Sequence, residues 1–166
     1  MSLVPRAIAF LLLFVLLQLA WQGARGTIIQ RLVVDDGTVA PAAFLANLLT
    51  PAVHAQAKQS SITAVGGGLD IENGCEGLDA LFLLAAAMLV APIAGRMRAI
   101  GILIGTGVVF LLNQARILAL FYAYRADHAL FDLLHGTVTP IVVVLLVLGF
   151  FYGWLDLALR RMAATV

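Results

Sequence analysis

Three residues of this 166-residue chain carry chemistry beyond packing: a thiol, a guanidinium and an imidazole. Cys75 is the only cysteine, in the run Asp70-Ile71-Glu72-Asn73-Gly74-Cys75-Glu76-Gly77-Leu78-Asp79. A single thiol closes no internal disulfide and builds no zinc site. Its sequence neighbours are not the apolar residues that usually bury a structural cysteine. A bystander or a nucleophile remains. A thiol brought beside an imidazole and a cation suits acyl transfer: the thiolate attacks a carbonyl, the imidazole moves the proton, and the cation steadies the oxyanion. His135 and Arg116 are the candidates for those roles, with Asn113 a supporting residue three positions before Arg116 on the same helical face. No residue cluster reads as a metal or cofactor site.

The elements that must position these residues are membrane helices. The chain is 63% hydrophobic and 11% charged, against roughly one-quarter charged residues in soluble domains. Four apolar stretches approach the ~20 residues needed to cross a bilayer: Val4–Ala24, Leu78–Gly95, Ala99–Tyr124 and His135–Leu159. The expected fold is an all-α integral membrane protein, one domain over residues 1–166. Its spans fall at 4–24, 75–95, 99–125 and 135–159, and an extracytoplasmic segment occupies 25–74. A net charge of +1 with no basic tract offers nothing to nucleic acid.

Charge placement orients the bundle. Arg6, Arg96, Arg98, Arg160 and Arg161 fall on one side, which the positive-inside rule makes cytoplasmic. Eight of the nine acids (Asp35, Asp36, Asp70, Glu72, Glu76, Asp79, Asp127 and Asp132) fall on the other side or at its interface. Both termini are then cytoplasmic, with the first span retained rather than cleaved as a signal peptide. The protein is expected as a multi-pass protein of the cytoplasmic (inner) membrane.

Depth brings the three residues level. Arg116 lies roughly 26 Å up its helix from Ala99 at about 1.5 Å per residue, near the outer boundary of a hydrocarbon core about 30 Å thick. A cation at that depth faces a protein interior or a wet cavity, or snorkels to headgroups. His135 opens the last span at the same boundary; His128 reads as outer loop, and His54 has no evident partner. Cys75 sits at the start of the second span, where the positive end of the helix dipole favours thiolate. Glu72, Glu76 and Asp79 oppose that, so a nearby cation is required.

In the outer segment, Phe44, Leu45, Leu48 and Leu49 share one face, giving an expected interfacial helix at 41–51. Ser60–Val65 and Leu69–Glu72 flank Gly66-Gly67-Gly68, which reads as a hairpin or as a flexible hinge.

Cys75-Glu76-Gly77-Leu78, Asn113-x-x-Arg116-Ile117 and His135-Gly136, in that order on successive helices, resemble the exosortase/archaeosortase family over roughly Ile71 to Tyr152. The resemblance implies a membrane-embedded cysteine transpeptidase acting at the extracytoplasmic face. Its substrates would be exported proteins bearing a C-terminal sorting motif, a transmembrane helix and a basic tail. Cys75 would be the nucleophile, His135 the acid/base and Arg116 the electrostatic partner. The chain departs from the family pattern in carrying Glu76 where many members have Ser, and in being a near-minimal member.

Two other classes fit parts of the sequence. In a non-enzymatic assembly or accessory subunit, Gly101-x-x-x-Gly105 would support close packing within the chain or between protomers. In a transporter or channel component Arg116 would line a wet path, but the ionisable residues gather at one face instead of the bilayer centre.

Overall fold

The computed structural model describes residues 3–71 and 74–164. Glu72, expected among the acids near the thiol and at the end of a strand, lies outside them, as does Asn73. Among the described residues the main elements are five helices and a small sheet: α1 (Leu3–Ala24), α2 (Ile28–Leu49), α3 (Leu78–Val90), α4 (Gly95–Ala126) and α5 (His128–Ala163). Among the described residues four helices are long and apolar enough to cross a membrane, α1, α2, α4 and α5. An all-α membrane protein fits, but the four helices are not the four expected. Helix α2 joins the set, whereas α3, at 13 residues, falls short of it. At about 1.5 Å per residue α3 spans only about 20 Å.

Local chemistry explains the altered boundaries. Helix α3 stops at Val90, short of the expected Gly95, because Ala91 precedes Pro92 and is forced into extended backbone (φ −63°, ψ 141°). Arg98 then donates from Nη2 to the carbonyls of Ala91 (3.0 Å) and Ile93 (3.4 Å), satisfying the bend between α3 and α4. At the other end, the outer loop expected around His128 reduces to Asp127. Its carboxylate accepts from Ala129 N at 2.8 Å, so it caps α5 directly after α4 ends. His128 is therefore helical, edge-on to the Tyr124 ring at 4.7 Å between centroids.

The expected interfacial helix at 41–51 is the C-terminal part of α2. That helix starts earlier, where the Thr27 side chain accepts from Ile29 N. Its middle, Arg31–Val39, is a π-helical stretch, and Thr38 Oγ1 donates to Val33 O at 2.9 Å within it. A second π-helical stretch, Leu134–Val138, lies in α5. Each is followed two residues later by a proline, Pro41 or Pro140, which has no N–H to continue the α-helical ladder.

Between α2 and α3 three short strands form an antiparallel meander: β1 (Gln56–Lys58), β2 (Ser61–Thr63) and β3 (Leu69–Asp70). Ile62 pairs with Ala57 on one side and Leu69 on the other. The glycine run thus turns the chain between β2 and β3, as in the hairpin reading. Arg125 secures this turn to α4, donating from Nη1 to Gly67 O at 2.9 Å while its guanidinium lies over Phe121.

Helices α3, α4 and α5 pack on one another, and α1 packs along α3. The α1–α3 pair is tied where Gln18 Nε2 donates to Asp79 Oδ1 at 2.7 Å. Gly101 and Gly105 work within the chain: Gly101 lies under the Trp154 indole, and Gly105 touches Leu84 and Phe150. Leu84, Met88, Val109 and Val147 form the apolar core at this level. A second core, containing Val34, Ile62, Ile117 and Phe121, joins α2 and the sheet to α4.

A Cβ on Gly105 would come within 2.5 Å of Leu84 Cδ2. Gly105→Leu is expected to lower stability by about 1–3 kcal/mol through overpacking. Thermal unfolding in detergent micelles measures this, with the oligomeric state of the folded protein unchanged because both glycines pack internally.

Candidate active site

The turn that carries the thiol is built by glycines. Gly74 (φ 90°) and Gly77 (φ 80°) both occupy left-handed backbone, Gly77 as the N-cap of α3. A Cβ at Gly77 would lie 2.7 Å from Asn113 Cγ, so a side chain there is excluded by both conformation and space. Asn113, 3% exposed, packs beneath the turn. It supports the site by shape, with no hydrogen bond to the three candidate residues.

Cys75 is 4% exposed and belongs to the apolar cluster with Ile71, Ile117 and Phe121. This corrects the expectation drawn from its polar sequence neighbours, because the apolar wall is supplied from α4 and β3. Its Sγ lies 3.1 Å from His135 Nε2 and 3.8 Å from Arg116 Nη2. Three separate elements therefore bring thiol, imidazole and guanidinium together.

Arg116 turns inward and does not snorkel. Nη1 donates to Gly74 O at 3.0 Å, Nε donates to Thr139 Oγ1 at 3.1 Å, and Nη2 faces the sulfur. Thr139 Oγ1 in turn donates to Leu134 O at 2.9 Å, across the π-helical stretch that contains His135. One guanidinium thus links the thiol turn to the backbone that presents the imidazole. Phe131, one turn before His135, stacks on its ring at 5.3 Å and 10° and sets the ring plane.

Glu76, the carboxylate next to the thiol, is held in the turn. Its Oε2 accepts from Gly74 N at 2.6 Å. It lines a cavity of about 290 Å³ with Asn113 and Phe110, a different cavity from the one the thiol faces. The backbone of Gly74 is thus held on both sides, its N–H by Glu76 and its C=O by Arg116. Asp79 is the acid that shares the thiol cavity, and it already accepts from Gln18.

The thiol cavity measures about 310 Å³. Cys75, Arg116, His135 and Asp79 form its polar side, and Pro140, Val143 and Val144 of α5 form an apolar wall below them. Gly77 and Ala80, at the N-terminus of α3, also line it, and Gly77 makes no side-chain cap. First-turn N–H groups of a helix are donors without intrahelical acceptors, suited to developing negative charge. Chemically the site can hold a carbonyl beside a nucleophile, a proton carrier and cationic or N–H donors. His54, on a left-handed turn, lines a separate cavity with Asn47 and Pro51.

Gly74, Phe131 and Thr139 were not singled out by motif or spacing, and Gly77 stood in the quoted motif with no role of its own. Phe131 was accessible through its i, i+4 relation to His135, whereas Thr139 becomes visible only when α5 is docked on α4. No protein-family model, curated protein or solved structure matches this chain.

Gly77→Ala would impose left-handed backbone and a clash with Asn113. A loss of about 1–3 kcal/mol is expected, the typical cost of such strain. Chemical denaturation in micelles, with helical content as the readout, checks it.

Proposed function

We propose that this protein is a membrane-embedded cysteine peptidase or transpeptidase of the exosortase/archaeosortase kind. It would cleave the C-terminal sorting signals of exported proteins at the outer face of the cytoplasmic membrane. The observation that carries the reading is the Sγ–Nε2 distance of 3.1 Å with a guanidinium nitrogen 3.8 Å from the same sulfur. Nucleophile and base within hydrogen-bond reach, with a cation to stabilise thiolate or oxyanion, is the arrangement acyl transfer requires.

The steps follow from the geometry. His135 Nε2 takes the thiol proton, and the Cys75 sulfur attacks the substrate's peptide carbonyl, forming a C–S bond and an oxyanion. Arg116 Nη2 and the first-turn N–H groups of α3 balance that charge. Collapse of the intermediate breaks the C–N bond, and His135 returns the proton to the leaving amine. A thioester on Cys75 remains. Water or an acceptor amine attacks it and gives its proton to His135, and the thiol is regenerated.

Orientation and substrate presentation fit this reading. Arg96, Arg98, Arg160 and Arg161 lie toward the end of the bundle remote from the thiol, which under the positive-inside rule supports an outward-facing thiol end. The apolar wall of Pro140, Val143 and Val144 suits a substrate delivered by its own transmembrane segment. The alternative of a non-enzymatic assembly or accessory subunit makes Arg116 a packing or partner-binding charge and Cys75 incidental, and it accommodates the internal packing of Gly101 and Gly105. The convergence of thiol, imidazole and guanidinium favours the enzymatic reading.

Cys75→Ala and His135→Ala are expected to abolish processing of a sorting-signal substrate while leaving protein level and membrane insertion normal. Immunoblotting of substrate in cells carrying each variant reads this; normal processing by Cys75→Ala would sink the proposal. Arg116→Lys should be impaired by about a hundredfold or more, because a point charge cannot reproduce the three-way fork.

A further inference from the structure

We infer that Asp70 is a positioning residue for His135, acting through a water in the cavity that the two side chains share. The inference rests on the reading of Cys75 and His135 as nucleophile and base, and adds a third member to that pair.

His135 stands between two cavities. One contains the thiol; the other, about 340 Å³, is lined by Gly68, Leu69, Asp70, Tyr124, Phe131 and His135. Nε2 is engaged with the sulfur. A base of this kind needs its second ring nitrogen held as well, since that bond sets the tautomer and stabilises the imidazolium. Among the described residues no hydrogen bond reaches Nδ1. Stacking by Phe131 sets the ring plane but cannot select a tautomer.

Asp70 is the carboxylate in the second cavity. Ser61 Oγ donates to its Oδ1 at 2.5 Å, which leaves Oδ2 available. The strand that carries it is held on both sides: Ile71 N donates to Ser60 O at 2.8 Å, and Arg125 anchors the hairpin turn at Gly67 O. The two charged groups that line the thiol cavity with His135 do not take this role. Arg116 offers only donors, and Asp79 lines the thiol cavity and not the one that Asp70 shares with His135. A polar cavity of this size accommodates water, and a bridging water transmits orientation nearly as well as a direct bond.

The test uses the full chain in lipid nanodiscs and methyl methanethiosulfonate as probe, which reads Cys75 alone because the chain has a single cysteine. His135→Gln should slow modification strongly. Asp70→Asn should slow it about tenfold, the scale of one hydrogen bond to a charged group. Asp70→Glu should recover most of the rate, and Ser61→Ala should keep the wild-type rate. A normal rate in Asp70→Asn with a slow His135→Gln overturns the inference and leaves the thiol–imidazole pair intact. An equally slow Ser61→Ala also overturns it, by reducing Asp70 to a strand-pairing role. A normal rate in His135→Gln, or an unreactive wild-type thiol, removes the nucleophile reading itself.

Discussion

The guanidinium of Arg116 is the tie that makes the thiol end of this protein one object. It reaches the backbone of the thiol turn at Gly74, the hydroxyl of Thr139 on α5 and the sulfur of Cys75. Without it, α4 would meet the thiol turn and α5 here through non-directional apolar contact, and the Cys75–His135 contact would be left to hold the turn against α5 by itself. A charged group drawn into a protein interior is costly unless it is paired or hydrogen-bonded. That cost is offset here by oxygen acceptors at 3.0 and 3.1 Å and by the nearby sulfur. The same arrangement argues against a lysine at this position, because an ammonium cannot present donors in three fixed directions.

Helical irregularity serves that tie. Thr139 can accept from Arg116 while donating to Leu134 O because the intervening stretch is π-helical. Pro140 removes the N–H that would otherwise continue the regular ladder, and Gly136 within the stretch adds no bulk. The turn at the other side of the site is equally constrained. Gly77 must be glycine because Asn113 fills the space where a Cβ would stand, so the motif residues Gly77 and Asn113 are two halves of one contact. Glu76, whose charge beside a thiolate would be unfavourable, is drawn off to Gly74 N and a separate cavity.

Much of this was legible in the chain and some was not. Cys75, Arg116 and His135 could be placed at one depth because helix rise converts residue count into ångströms. Their contact could not, since helix rotation and docking are set by long-range packing such as Gly101 under Trp154 and Gly105 against Leu84 and Phe150. Helix ends were misjudged where single residues decide them: Pro92 shortens α3, and Asp127 replaces an expected loop with a cap. Helix α2 was underestimated because Arg31, Asp35 and Asp36 interrupt its hydropathy, although they leave it helical. The burial of Cys75 was missed because its apolar neighbours, Ile117 and Phe121, lie more than forty residues away in sequence.

The central claim, that Cys75 is a nucleophile activated by His135, is most directly tested by acylation with p-nitrophenyl acetate followed by mass spectrometry of the intact and digested protein. The account predicts a burst of nitrophenolate and an acetyl group on Cys75, formed rapidly in the wild type and much more slowly in His135→Ala. Acylation absent from Cys75, or equally fast without the imidazole, would contradict it.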